Sequence, residues 1–242
     1  MEGGSVSVQT EQIMRRLSEL GDPGIAAQSR RFFKTGKGEY GEGDRFLGIR
    51  VPTLRQCCGD YRESALDTAL ELLESHFHEA RLLALLILVA RYSSPRGIGE
   101  RKAIYRAYLN HTAHISSWDL VDCSAEHIVG AHVFARDRKP LYLLARSWSL
   151  WERRIAIMST FHFIKRNDFS DTLAIAELLL HDREDLIHKA VGWMVREVGN
   201  RNPDAEEKFL ARHYREMPRT MLRYAIEKLP ETERRAYLHG TK

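Results

Sequence analysis

Three cysteines occur in 242 residues, at 57, 58 and 123. The number is odd, two are adjacent, and none has a metal-ligand spacing. This excludes a disulfide-stapled secreted domain and a zinc ribbon, and it predicts reduced thiols in a cytoplasmic protein without a metal. Long apolar runs are also missing. The longest, Leu82 to Ala90, has about half the length of a membrane span. No apolar stretch follows the first residues, and Glu2 and Glu11 argue against a signal peptide. The strand vocabulary is absent too, with no Asn-Gly or Asp-Gly hairpin and no alternating β-branched run. A phosphate-binding loop is not written either. Gly36 to Asp44 holds four glycines, but it lacks the Gly-Lys-Ser/Thr ending and the strand–helix context of a nucleotide site.

What remains is helical. From Pro52 onward, segments such as Glu79–Tyr92, Trp118–Ala135, Leu150–Lys165 and Leu186–Val198 place apolar residues at three- and four-residue steps. Before them, Thr10 to Leu20 reads as a helix stopped by Gly21. A second helix opens at Pro23 and runs to about Lys34, ahead of the glycine-rich loop of residues 35–45. Residues 1–7 read as a frayed tail. The class is all-α, expected as one domain over 1–242.

Charge is distributed unevenly. The net charge is only +4, yet eight basic residues and two acids lie between Arg136 and Arg166. A local +6 suits either a solvated helical face or a phosphate-binding surface. Arg45, at the end of the glycine-rich loop, is a further candidate for a nucleic-acid backbone.

An internal repeat organises these features. Arg81, Trp118, Arg154 and Lys189 can be laid on one another, with steps of 37, 36 and 35 residues. A helix pair of this period is the signature of a stacked HEAT-type solenoid, in which equivalent positions line one concave wall. Arg81, Trp118 with Asp122, Arg154, and Lys189 with Trp193 and Arg196 are then expected along one groove. Trp118 and Asp122 share a helical face at i and i+4. Lys189, Trp193 and Arg196 do so at i, i+4 and i+7. A tryptophan inside a helix is more often core, with basic neighbours snorkelling past it. Two tryptophans at corresponding repeats, one beside an acid, favour a site. Cations imply a polyanionic ligand. Aromatic plates and an acid among them imply a flat, locally positive group. DNA carrying a cationic N-alkylated base meets both conditions, and cleavage of its glycosidic bond passes through an oxocarbenium-like state that Asp122 would stabilise.

At these residues the chain resembles the AlkD-type DNA alkylation repair glycosylases. The resemblance covers Phe46-Leu47-Gly48-Ile49 with Pro52, Ser117-Trp118-Asp119-Leu120-Val121-Asp122, Trp151-Glu152-Arg153-Arg154 with Ala156, and Ala190 to Glu197 with Asn202-Pro203-Asp204. It implies a right-handed α-solenoid of HEAT-like helix pairs with a concave basic groove. It implies Asp122 as the catalytic acid, Trp118 and Trp193 as the aromatic cleft, and Arg154 and Arg196 on the DNA backbone; the repeat and the loop add Lys189, Arg81 and Arg45 as further DNA-binding candidates. It further implies a monomeric, cofactor-free enzyme that excises 3-methyladenine- and 7-methylguanine-type lesions from double-stranded DNA without a base-specific pocket. Two features depart from the family pattern, the long glycine-rich loop and Phe32 where a tyrosine is expected. The rival reading is a non-catalytic HEAT-type scaffold for nucleic acid or protein. Asp119, about 100° from Trp118 on a helix, reads as a helix-start acid.

Overall fold

The computed structural model describes residues 7–94 and 97–242. Among the described residues the secondary structure is helical throughout, apart from one isolated β-bridge between Arg45 and Phe77. No helix among them is long and apolar enough to cross a membrane. Residues 1–6 of the expected tail lie outside the described residues. Ser7 is no tail residue, because its hydroxyl caps the first helix by accepting from the Thr10 amide. Chain contacts divide the molecule into two compact units, one ending at Ser124 and the other running from Ala125 to Lys242.

The first unit contains α1 (Val8–Leu20), α2 (Pro23–Phe32), α3 (Val51–Tyr61), α4 (Leu66–Leu73), α5 (His78–Ser93), α6 (Ile98–Asn110) and α7 (Trp118–Asp122). Its centre is α5. The run Leu82 to Ala90 is apolar on all sides because α1, α3, α4, α6 and α7 all pack against this helix. Leu83, Leu85, Ile87 and Leu88 have no exposed surface.

The second unit begins with a π-helical turn, Glu126–Gly130. It continues through α8 (Ala131–Val133), α9 (Lys139–Ala145), α10 (Leu150–Ser159), α11 (Phe161–Ile164), α12 (Ser170–Leu178), α13 (Asp185–Gly199), α14 (Pro203–His213), α15 (Arg219–Ala225) and α16 (Glu231–His239). Here α13 is central, packed by α10, α11, α12, α14 and α15. It meets α15 closely at Gly192, where a Cβ would lie 2.4 Å from the Met221 carbonyl oxygen. Any side chain there would push α15 away.

Two segments expected as single helices are broken. Trp118–Ala135 divides after Asp122, and Leu150–Lys165 divides at Thr160. At both breaks hydroxyl groups bond back to carbonyls of the preceding turn, which weakens and bends a helix. Ser124 donates to the Leu120 carbonyl at 2.5 Å, Ser159 to Ile155 at 2.6 Å and Thr160 to Ile157 at 2.7 Å. The break after Asp122 leaves α7 as a five-residue helix whose placement depends on its neighbours rather than on its own length.

Candidate functional site

Trp118 and Asp122 are the first and last residues of α7, both half-buried. Three features of the first unit hold this helix. The first is aromatic. Phe33, the residue that terminates α2, lies parallel to the Trp118 indole at 5.5 Å and 17°. Phe32 stands edge-on to it at 5.9 Å and is 65% exposed. Phe33 also stacks on Phe46 at 5.1 Å. The aromatic departure noted at Phe32 is therefore only part of the arrangement, since the ring lying flat on Trp118 belongs to Phe33.

The second feature is a buried charged cluster that the sequence did not reveal. His78, at the start of α5, is 2% exposed. Its Nδ1 lies 2.8 Å from an Asp44 carboxylate oxygen and its Nε2 lies 2.8 Å from Asp119. Burial opposes a charge on this imidazole. The two carboxylates outweigh burial and raise its pKa to about 9. Asp119 responds in the opposite sense. Burial would raise its carboxyl, but the bond and charge of His78 hold it below the ordinary carboxylate range. The imidazolium also stacks on Phe46 at 4.7 Å, which suits a cation on a π face. Asp119 is thus more than a helix-start acid, because it ties α7 to α5. Asp44 ties the end of the glycine-rich loop to the same histidine and, at 2.7 Å, to Arg81.

The third feature is the Phe46-Leu47-Gly48-Ile49 segment. The buried Glu79 carboxylate accepts three successive backbone amides, from Leu47, Gly48 and Ile49, at 2.9, 2.7 and 3.2 Å. Gly48 has φ +85°, and a Cβ there would sit 2.0 Å from the Asp22 carbonyl oxygen. Glycine is required at this position both by the left-handed backbone and by the contact with α2. This segment fixes Phe46 beneath Phe33 and His78.

The basic candidates have various fates. Arg81 is buried, and besides Asp44 its guanidinium donates to the His114 carbonyl and the Ser116 hydroxyl. Its charge is tied into the interior of the first unit, because a buried guanidinium needs such partners. Arg45 is exposed. In the second unit Arg154 is buried and donates to the Leu186 carbonyl. Lys189, Trp193 and Arg196 lie along one face of α13 as expected, and each meets an acid. Lys189 pairs with Asp185 at 2.7 Å, the Trp193 Nε1 donates to Glu197 at 2.9 Å, and Arg196 pairs with Glu227. The Trp193 ring also lies 6.0 Å from Phe161. The basic stretch from Arg136 to Arg166 is partly neutralised. Arg138 is held by Asp168 and Asp171, Arg153 by Asp182, and Lys165 by Glu126. Arg136, Lys139, Arg146 and Arg166 are exposed.

Cys123 follows Asp122, but burial, Asp119 and Asp122 all push its thiol pKa upward. It stays protonated and is no nucleophile. Among the described residues no three His, Cys, Asp or Glu side chains gather as a metal-ligand set.

The sequence model of one protein family, described as DNA alkylation repair enzyme, matches residues 13–229. No curated protein matches the chain. A solved structure described as a predicted DNA alkylation repair enzyme from Enterococcus faecalis is similar in fold. It has a TM-score of 0.67 at 17% identity, covering 87% of this chain and 97% of that one.

Proposed function

The chain belongs to the DNA alkylation repair enzyme family, and on that premise we propose that it is a DNA glycosylase. Its substrates are cationic N-alkylated purines of the 3-methyladenine and 7-methylguanine type, in double-stranded DNA, and its place is base excision repair. It works as a cytoplasmic monomer without a cofactor. The observation that carries this reading is α7, which sets an indole and a carboxylate at i and i+4 and is itself clamped by aromatic rings and the His78 cluster.

The chemistry fits those two groups. Alkylation gives the purine a formal positive charge. When the C1′–N glycosidic bond breaks, its electron pair moves onto the departing base, which leaves neutral. No proton donor at the base is needed. Positive charge builds instead on the sugar, and the Asp122 carboxylate stabilises it and orients the water that attacks C1′. That water's proton passes to Asp122 and then to solvent. Trp118 offers a π face to the cationic substrate. Trp193 is a further aromatic candidate, on α13, and Arg154, Arg196, Lys189 and Arg45 are phosphate-binding candidates. A neutral lesion meets no acid placed to protonate it, so release is confined to bases already primed to leave.

The test is incubation with methylated duplex and analysis of the free bases. Release of 7-methylguanine and 3-methyladenine by the wild type, lowered roughly 10²-fold in Asp122→Asn, supports the reading. DNA binding without base release leaves the scaffold alternative.

A further inference from the structure

Among the described residues, the most exposed large apolar side chain belongs to the second unit. Trp148, in the turn between α9 and α10, is 101% exposed. Covering an indole removes on the order of 150–250 Å² from water, so leaving one fully hydrated forgoes a large stabilisation. The backbone that presents it is firmly built. Arg153 donates to the carbonyls of Ser147 and Trp148 at 3.0 and 2.9 Å, and the same guanidinium is gripped by Asp182 at 2.6 Å. The Ser149 amide bonds the Ser147 hydroxyl, and the Ser149 hydroxyl caps α10.

The adjoining face of α9 continues the surface. Leu141 and Ala145 are buried, and α9 packs on α10 and α12. Lys139, Leu143 and Arg146 follow a spacing of four and three residues along the other face, and all three are exposed, Leu143 at 71%. Two cations thus bracket an apolar side chain beside an exposed indole on a hydrogen-bonded turn.

We propose that this face, Lys139–Leu143–Arg146 with Trp148, is a DNA-contact surface additional to the α7 site. In it the two cations take phosphates of one strand, and the indole packs on a sugar or base edge of the same strand. The assignment rests on the glycosylase reading for the identity of the polyanion. The charge pattern selects against other occupants. A symmetric contact between two copies would set Lys139 and Arg146 against their own equivalents or each other, which repels. One indole and one leucine are also too little apolar area for a stable protein interface.

The experiment measures binding of undamaged duplex by fluorescence anisotropy over a series of salt concentrations. Trp148→Ala should weaken binding roughly tenfold, the scale of one lost aromatic stack, and Trp148→Phe should recover most of the loss. Lys139→Gln and Arg146→Gln should each lower the slope of log K against log salt by about 1. All three side chains are exposed, so their replacement should leave the fold intact, and thermal unfolding of each variant checks this. Wild-type affinity in Trp148→Ala overturns the inference. So does a Trp148-dependent dimer in sedimentation, or Trp148-dependent binding to phosphatidylserine vesicles with DNA affinity unaltered. Binding needs no base release, so the two readings fail separately. Trp148-dependent DNA affinity without excision sinks only the glycosylase reading, and excision with Trp148-independent affinity sinks only this one.

Discussion

Raising the pH should loosen the first unit through one residue. His78 is protonated between Asp44 and Asp119, with Arg81 on the same helix balancing Asp44. Its folded pKa of about 9 stands above the ordinary 6.5. A raised folded pKa means that the native state holds the proton more tightly than the unfolded chain does. The associated stability is therefore complete below pH 6.5 and is lost as pH rises through 9. At 1.36 kcal/mol per pKa unit the full effect is roughly 3 kcal/mol, and about half of it is gone by pH 8. The lowered pKa of Asp119 reports the same interaction and adds nothing further. Against a total stability of about 5–15 kcal/mol this is a large fraction. Urea unfolding followed by circular dichroism at pH 6.5, 8.0 and 9.5 reads it, with His78→Gln as the reference. Thiols and other groups titrate in both proteins and cancel in the difference. The wild-type advantage should shrink by about 3 kcal/mol across that range. An advantage that stays constant with pH would show that His78 is held as a neutral imidazole and that the clamp carries no charge.

Other perturbations follow from the same geometry. Glu206, in the first turn of α14 and buried against Gly199 at the end of α13, has its pKa raised to about 7 by burial, partly offset by Arg196. Its contribution to stability is complete below pH 4.5 and lost as pH rises through 7, so Glu206→Gln should stabilise by about 1–2 kcal/mol at pH 8 and not at pH 4. Urea midpoints at the two pH values decide this. Gly48→Ala should cost more than about 2 kcal/mol, because it imposes both the positive φ and the Asp22 collision. Wild-type thermal stability in that variant would contradict the backbone assignment. Arg154→Ala leaves the Leu186 carbonyl without its donor and should lower stability by about 1–3 kcal/mol. If the guanidinium also meets phosphate, the salt slope of DNA binding falls by about 1. An unchanged slope assigns Arg154 to the interior alone.

The helical class was legible because hydrophobic spacing is local information. Pro23, Gly21 and the apolar run of α5 each fixed an element from a few neighbouring residues. The breaks at Ser124 and Thr160 were not legible. Serine and threonine are tolerated inside helices, and whether a hydroxyl turns back on its own carbonyl depends on what packs around it. In the candidate site, Trp118 and Asp122 stood out because such residues are unusual on one helical face. The Asp44–His78–Asp119 cluster did not, since its members lie 34 and 41 residues apart in the chain and no short spacing connects them. The His-Glu pair opening α5 was the available clue, with two ionisable residues leading the helix that carries the longest apolar run. Counting cations misled in a different way. Formal charge ignores pairing, so the stretch from Arg136 to Arg166 read as more basic than its acidic partners leave it.

The two acids of α7 can be separated, and the separation tests the division of labour between them. Asp119 and Asp122 are three residues apart, but only Asp119 is bonded to His78. Asp119→Asn keeps the shape and can still accept one bond from the imidazole, yet it removes half of the counter-charge that keeps His78 protonated. It should therefore lower stability near pH 7 and flatten the pH dependence between 6.5 and 9.5. Its effect on base release should come through α7, as a smaller loss that partly recovers when temperature is lowered. Asp122→Asn should do the reverse. The urea midpoint and its pH profile should stay close to wild type, while release of 7-methylguanine under single-turnover conditions falls roughly 10²-fold at every temperature at which the protein is folded. If the pH profile of stability follows Asp122 and the temperature-independent loss follows Asp119, the roles are exchanged. The carboxylate nearer the sugar would then be the one tied to the histidine.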